Sequence, residues 1–453
     1  MNHLKEITIP ELKKKYQRGE LTVKEAVEYY LDRIKEYDQG EMGLHSVVEI
    51  NPDALAIAEE LDRKGYQVDK LLFGIPVLVK DNIDTADQMH TSAGSVALAD
   101  SIALEDAELV KRLRECGAVI LGKTNMTEFA NYMTDHMPNG YSSRGGQVKN
   151  AYHPEKDPSG SSSGSGVAVT ANLCTASIGS DTCNSIVGPG IASGIVGFRP
   201  STGVISQKGI IPISFTLDTA GPFTKTVEDA AIMYAALTGQ AVVEQPKEDI
   251  KGKVIAYNTW KPADSEEWLE HTEEAVLELE KAGAVIKRIE IPETPYIMDV
   301  MKYEFQYAIN QYLKGLPEQY PIKSLEDIIN YNNEHKEQAL RYGQTLLLDA
   351  QENASGTLKE PKYLEILEDR KDSMRKIREQ LEGTDLCIMY SFSSILQYTE
   401  LPVITIPYGL KQDGMPAVLQ LTALSDEQLL KNAYIVEKVI GNRVEPRLKN
   451  SII

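Results

Sequence analysis

Apolar positions recur along this chain with two spacings, one typical of helices and the other of buried strands. Thr22-Val23-Lys24-Glu25 forms a capping box, and apolar residues then recur on one helical face as far as Ile34. Pro52 marks the beginning of another helix. In the first 125 residues the pattern predicts helices over 22–34, 52–64 and 106–115 and buried strands over 75–80 and 118–121.

The second half of the chain repeats this alternation of helices and strands. The strands are predicted at 254–257, 285–289, 386–390, 402–407 and 416–423. The helical segments are predicted at 266–282, through most of 296–382, and at 425–440. Alternating strands and helices indicate an α/β fold in which helices cover both faces of a sheet. Because no long linker interrupts the pattern, we predict a single domain over residues 1–453.

Composition and charge narrow the possible functions. The chain has 453 residues and a formal charge of −20, from 47 Lys and Arg against 67 Asp and Glu. Such a charge repels phosphate backbones, so direct nucleic-acid binding is not expected. The four cysteines form no C-x-x-C pair, which indicates neither a zinc site nor a disulfide framework. Without a signal peptide or a run of about 18 apolar residues, the sequence predicts a cytoplasmic protein that does not enter membranes.

A phosphate-loop pattern, G-x-x-x-x-G-K-[ST], occurs at 117–124. A phosphate loop needs a flexible backbone between a strand and a helix. Here the four intervening residues are Ala, Val, Ile and Leu, and helical sequence precedes them. We therefore interpret this segment as a buried strand.

A nucleophile-elbow pattern, G-x-S-x-G, occurs at 160–164. An elbow follows an apolar strand, whereas Glu155 to Ser159 is polar. The histidines available later in the chain, His271 and His335, both lie in charged helical sequence typical of a surface. A histidine-based triad is therefore not predicted, and another base must activate any nucleophilic serine.

Residues 157–203 are unusually rich in Ser, Gly, Ala and Thr. Flexible linkers share this composition, but here it continues into the helix-like 166–171 and the apolar strand 194–198. We therefore predict a structured, crowded backbone. Such a backbone can direct several amide N–H groups toward one point, as an oxyanion hole requires.

These residues resemble the amidase signature family. The family's P-G-G-S-S-G-G-S run and its later D-T-G-G-S-I run correspond to 158–165 and 181–186, which places Ser161 and Ser185 24 residues apart. Gly74 to Asn82 is similar to the family's segment that carries an essential lysine. Further similar segments lie at 117–129, 139–150 and 209–222.

The resemblance implies a large mixed β-sheet between layers of α-helices. The signature core would lie at about 70–240 and a mainly helical substrate-side region at about 296–382. The C-terminal strands and helix would lie at 386–440.

The resemblance also implies a Ser–cis-Ser–Lys triad. Ser185 would be the nucleophile, and Ser161, preceded by a cis peptide bond, would connect it to Lys80. An amine buried without a carboxylate partner is a competent neutral base. The backbone amides of Thr182, Cys183, Asn184 and Ser185 would form the oxyanion hole. No metal or organic cofactor is implied.

Within the family, the sequence is most similar to the peptide amidase branch. The expected reaction is hydrolysis of a carboxamide, either a C-terminal peptide amide or a small aliphatic or aryl amide. The expected partner is that substrate, with the protein a monomer or a homodimer. One alternative is the glutaminase-type A component of a tRNA-dependent amidotransferase.

Three departures from the family pattern leave a second alternative, an amidase-like scaffold with impaired catalysis. Cys183-Asn184 replaces the usual Gly-Gly, and Val187 stands where an arginine is frequent. The segment from Cys387 to Pro402 is shorter than in most relatives. Asn184 is, after glycine, the residue type best suited to a left-handed turn.

Overall fold

An eleven-stranded mixed sheet dominates the computed structural model, which describes residues 4–40, 43–260, 266–390 and 393–448. The strands are β1 (Val47–Ile50), β2 (Pro76–Lys80), β3 (Val119–Thr124), β4 (Tyr141–Ser142), β5 (Gly146–Gln147), β6 (Ala176–Asp181), β7 (Val196–Arg199), β8 (Thr219–Thr224), β9 (Val254–Asn258), β10 (Val285–Ile289), β11 (Leu386–Met389), β12 (Val403–Leu410) and β13 (Pro416–Thr422). Their order in the sheet is β1-β3-β2-β6-β8-β7-β12-β13-β11-β9-β10, and β4 and β5 form a separate hairpin.

Helices flank this sheet along its length. They are α1 (Ile9–Gln17), α2 (Val23–Tyr37), α3 (Ala54–Lys64), α4 (Glu108–Glu115), α5 (Ser163–Thr170), α6 (Val187–Ala192), α7 (Val227–Thr238), α8 (Glu266–Lys281), α9 (Ile297–Lys314), α10 (Leu325–Glu334), α11 (Lys336–Ala339), α12 (Thr345–Asn353), α13 (Pro361–Leu381), α14 (Ile395–Tyr398) and α15 (Asp426–Ile440). Across the described ranges, none of these helices has both the length and the apolar character that crossing a membrane requires.

The predicted mixed α/β fold is confirmed. The strands predicted at 75–80 and 118–121 are β2 and β3, and the Thr22 capping box opens α2 with both of its hydrogen bonds formed. The helical segment 296–382 contains α9 to α13. Two central strands, β6 and β8, were not predicted.

The segment rich in serine and glycine is structured and tightly packed. It contains α5, β6, α6 and β7, and almost all of its residues from 161 to 200 are buried. A Cβ atom at Gly179 would lie 2.7 Å from Ser162 Oγ and 2.6 Å from the Phe223 ring. A Cβ atom at Gly164 would lie 2.2 Å from the Asn125 carbonyl oxygen. Glycine therefore allows α5 to approach the sheet closely.

Two parallel neighbours in the sheet bring the predicted site residues to one edge. β2 pairs in parallel with β6, with Val79 opposite Ile178. Since parallel strands end at the same edge, Lys80 at the end of β2 and Asp181 at the end of β6 lie at the same edge of the sheet. The loop that follows β6 carries Ser185, and the segment before α5 carries Ser161.

Candidate active site

Lys80, Ser161 and Ser185 form a continuous hydrogen-bonded chain. The Lys80 amine donates to Ser161 Oγ at 2.7 Å, and Ser161 Oγ donates to Ser185 Oγ at 3.0 Å. Lys80 and Ser161 have no exposed surface, and Ser185 is 5% exposed. Because a hydroxyl group can both donate and accept, the same chain can carry a proton in either direction.

The surroundings of Lys80 favour its neutral form. Burial lowers the pKa of this amine from 10.5 to about 7, against the opposing effect of the Asp181 and Asp218 carboxylates. The amine also donates to Ser180 Oγ at 2.9 Å, and the Asn82 side chain donates to that same oxygen at 3.0 Å. A substantial fraction of Lys80 is therefore an uncharged amine, held in a fixed position, at neutral pH.

The start of α5 fixes Ser161 against the loop of Ser185. The Gly160–Ser161 peptide bond is cis. The Ser162 backbone N–H donates to the Ser185 carbonyl at 3.3 Å, and Ser162 Oγ donates to the Ser180 carbonyl at 2.9 Å. These bonds tie the two serine-bearing segments together.

A buried ion pair holds the turn that carries Ser185. Asp181 accepts a hydrogen bond of 2.6 Å from the Ile186 backbone N–H and lies 3.3 Å from the Arg199 guanidinium. Both charged side chains are fully buried. Asn184 adopts a left-handed conformation with φ of 64°, and the Gln397 side-chain amide lies 3.2 Å from its Oδ1. The turn therefore forms without the family's glycine pair.

The same turn presents unused hydrogen-bond donors beside Ser185. Of the four backbone N–H groups predicted for the oxyanion hole, those of Thr182, Cys183 and Ser185 have no acceptor in the described part of the chain, whereas the Asn184 N–H donates to the Gln397 side-chain oxygen at 3.3 Å. Buried N–H groups are normally paired, and those left free in a cleft often bind a ligand. Their position beside the Ser185 hydroxyl suits the oxyanion of a tetrahedral intermediate.

Cys183 lies in the wall of the same cleft but is poorly suited to nucleophilic attack. Burial raises the pKa of its thiol to about 12. The reactive form of cysteine is the thiolate, which is therefore scarce at neutral pH. The arrangement favours Ser185 as the nucleophile.

A cavity of about 270 Å³ opens next to Ser185. Its apolar wall consists of Tyr132, Met137, Ile213, Met298, Met301 and Leu346. Of the described residues that line the cavity, only Asp135 carries a charge. The cavity suits a small and largely apolar acyl group.

The structure brings the three predicted triad residues together, and neither of the two pattern matches has the local structure that its own motif requires. The phosphate-loop pattern ends in β3, where the buried Lys123 amine donates to the Ile83 carbonyl at 2.6 Å and to Thr91 Oγ1 at 2.9 Å. The G-x-S-x-G run lies at the start of α5, and residues 148–159, which lead into it, contain no strand. Neither His271 nor His335 lines the cavity.

Sequence reasoning did not identify the residues that support the site. Arg199 and Asp181 are 18 positions apart, and no local motif connects them. The Asp218 carboxylate accepts hydrogen bonds from Thr182 Oγ1 at 2.6 Å and from the Ile213 backbone N–H at 2.9 Å. Burial raises the pKa of this carboxyl group to about 7. Their role in supporting the site is visible only in three dimensions, where both buried carboxylates lie next to the turn that follows β6 and carries Ser185.

Comparisons with known proteins show that this chain belongs to the amidase family. A family model described as Amidase matches residues 25–394. A probable amidase of Arabidopsis thaliana is 34% identical over an alignment of 481 residues, which covers 98% of this chain and 92% of that protein. The structure of native peptide amidase from Stenotrophomonas maltophilia superimposes with a TM-score of 0.89 at 34% identity, covering 99% of this chain and 100% of that one. The A component of glutamyl-tRNA(Gln) amidotransferase from Alkaliphilus metalliredigens is 30% identical over 97% of this chain and 97% of that protein.

Proposed function

This chain belongs to the amidase family and is an amide-hydrolysing enzyme, and we propose that it hydrolyses carboxamides through an acyl-enzyme on Ser185. The observation that carries this proposal is the unbroken path from the Lys80 amine through Ser161 Oγ to Ser185 Oγ. A neutral lysine that is buried next to a hydroxyl relay can accept the proton of an attacking serine.

The proposed reaction begins with attack of Ser185 Oγ on the amide carbon. As the new C–O bond forms, the Ser185 proton passes to Ser161, and the Ser161 proton passes to Lys80. The backbone N–H groups of Thr182, Cys183 and Ser185 stabilise the oxyanion. Lys80 then returns a proton through Ser161 to the leaving nitrogen, and ammonia departs.

Water completes the cycle by attacking the Ser185 ester. The neutral Lys80 amine takes a proton from this water through Ser161, and the carboxylic acid is released as Ser185 regains its proton. Each proton transfer passes through Ser161, which connects the Lys80 amine to the reacting atoms.

The cavity supports a small carboxamide as substrate. Its methionine- and leucine-rich wall suits an apolar acyl group, and its volume of about 270 Å³ is close to the lower end of the about 300–1,000 Å³ of ligand sites. The likeness to a peptide amidase supports peptide amides as substrates, and the small cavity also suits small aliphatic or aryl amides.

The site gives less support to the two alternatives, the glutaminase-type A component of an amidotransferase and the amidase-like scaffold with impaired catalysis. Glutamine carries an α-carboxylate as well as an α-ammonium group. No Lys, Arg or His that could bind the carboxylate is among the described residues that line the cavity, and the buried Val187 provides no cation. An impaired scaffold would not need to keep a buried lysine within 2.7 Å of a serine hydroxyl. We therefore favour the carboxamide hydrolase.

Ammonia release from a panel of primary amides tests the proposal. We expect Ser185→Ala to reduce kcat by at least about 10³-fold, as loss of a catalytic serine does in other hydrolases. Ser163→Ala is a matched control, because the Ser163 hydroxyl is buried on α5 without a hydrogen-bond partner in the described structure. Equal ammonia release by the wild type and Ser185→Ala would refute the proposal.

A further inference from the structure

We propose that the cavity selects amides whose acyl part carries an ammonium group, and that the Asp135 carboxylate binds this group. The inference rests on the proposed function and specifies its substrate class. It follows from the position of Asp135, from the charges around the cavity, and from the cavity's size.

Asp135 is held in place with one carboxylate oxygen free. Its backbone N–H donates to Thr345 Oγ1 at 3.2 Å, and Thr345 Oγ1 donates to its Oδ2 at 3.2 Å. Thr134 Oγ1 also lies 3.0 Å from Thr345 Oγ1, which fixes the segment against the start of α12. Asp135 is exposed, and within the described ranges its Oδ1 forms no hydrogen bond to the protein and its carboxylate forms no ion pair. An oriented carboxylate that lines a cavity and lacks a cation is suited to bind one from a substrate.

The charges near this end of the cavity are negative. Burial raises the pKa of the Tyr132 hydroxyl, and the nearby Asp349, Asp135 and Asp299 carboxylates raise it further. The Lys302 amine lies 3.1 Å from the Asp349 carboxylate and neutralises its charge. Asp299 has no ion pair in the part of the chain that the structure describes. Two uncompensated carboxylates therefore contribute to the potential at the cavity. An ammonium group is attracted to this potential and a carboxylate is repelled by it.

The cavity is small enough for one small molecule to contact both Ser185 and Asp135. Ser185 and Asp135 line the same space of about 270 Å³. Tyr132, Met137 and Leu346 line the same space and suit a short aliphatic chain. A substrate with its amide at Ser185 can therefore place an ammonium group at Asp135 across that wall.

The test compares amides that differ only in the terminal group. We would measure kcat/KM for a series of ω-amino amides of three to six carbons and for partners in which methyl or carboxylate replaces the ammonium. In the wild type, kcat/KM should be higher for the best ammonium-bearing amide than for its carboxylate partner. In Asp135→Asn, the ratio of the ammonium amide to its methyl partner should fall by about 3–10-fold, as loss of a partly exposed charge pair implies. The fall should lie mainly in KM, with kcat for the methyl partner retained.

A charge-matched control separates local binding from overall charge. Asp69 is exposed in the loop before β2, and Asp69→Asn changes the net charge by the same amount. This variant should leave the ratio unchanged. An unchanged ratio in Asp135→Asn, or the same fall in Asp69→Asn, would overturn the inference. If Ser185→Ala matched the wild type on every amide, the proposed function itself would fail. Ser185-dependent hydrolysis that ignores the terminal group would reject only the role of Asp135.

Discussion

The Lys80 amine lies 2.7 Å from Ser161 Oγ, and no carboxylate in the described chain forms an ion pair with it. Lysines in protein interiors usually pair with an acid, which keeps them charged. Here Asp181 is paired with Arg199 and Asp218 is bound by Thr182 and two backbone N–H groups. The nearby acids are thus engaged elsewhere, and the amine is left to the serine hydroxyls.

The pH dependence of the reaction should report the ionisation of Lys80. Its pKa is lowered to about 7, and only the neutral amine can accept a proton. We therefore expect kcat/KM to fall about tenfold for each pH unit below 7 and to level off above about pH 8. Initial rates of ammonia release from a neutral amide between pH 5 and 9 measure this profile. A flat profile over that range would contradict a lysine base.

Lys80→Arg gives the matched control for this profile. Arginine retains the positive charge and hydrogen-bonding capacity but remains protonated throughout the range. The variant should be inactive at every pH from 5 to 9. Activity that recovers toward pH 9 would show that some other group is the base.

Burial of Lys80 should cost stability, and removal of the amine should restore part of it. We expect Lys80→Met to raise the free energy of unfolding by about 1–3 kcal/mol at pH 6, because a buried charged amine is replaced by an apolar side chain. The native pKa is about 7 and the unfolded value about 10.5, so the wild type gains stability as pH rises between them.

The stability difference should accordingly be largest below pH 7 and shrink toward pH 10. Urea denaturation of both proteins at pH 6, 8 and 10 measures it. A difference that is independent of pH would mean that Lys80 has the same pKa in the folded and unfolded chain.

Close packing of α5 on β6 should make Gly179 intolerant of a side chain. A Cβ atom there would approach Ser162 Oγ and the Phe223 ring to less than 3.0 Å. We expect Gly179→Ala to lower the free energy of unfolding by about 1–3 kcal/mol and to displace Ser162 and its neighbour Ser161. Gly315→Ala is the control, because its Cβ atom would meet only the Tyr312 carbonyl oxygen, at 3.2 Å. Equal effects of the two substitutions in urea denaturation would argue against this packing constraint.

The sequence predicted the elements that have a strong hydrophobic pattern. β2 and β3 are continuous apolar runs, and α2 has both a capping box and an apolar face. β6 reads Ala-Ser-Ile-Gly-Ser-Asp, which has no such pattern. It is a strand because β2 and β8 pair with it on either side, and that tertiary constraint has no local signature.

The triad residues were predicted from the resemblance to the amidase signature family, whereas the cavity wall was not predicted. The wall near Asp135 is shaped by consecutive left-handed residues, Phe129, Ala130 and Asn131, with φ of 46°, 53° and 77°. Phe and Ala rarely adopt this conformation, so no sequence rule predicts the turn. Asp135 reaches the cavity only because this turn and α12 meet in the folded chain.

The central claim is that Lys80 activates Ser185 for covalent catalysis, and mass spectrometry after fluorophosphonate treatment tests it most directly. The account predicts one phosphonyl adduct on the peptide that contains Ser185, with loss of fluoride. The adduct should be absent from Ser185→Ala and should form at least about 100-fold more slowly in Lys80→Met. An adduct on a different residue, or equal labelling rates in the wild type and Lys80→Met, would contradict the claim.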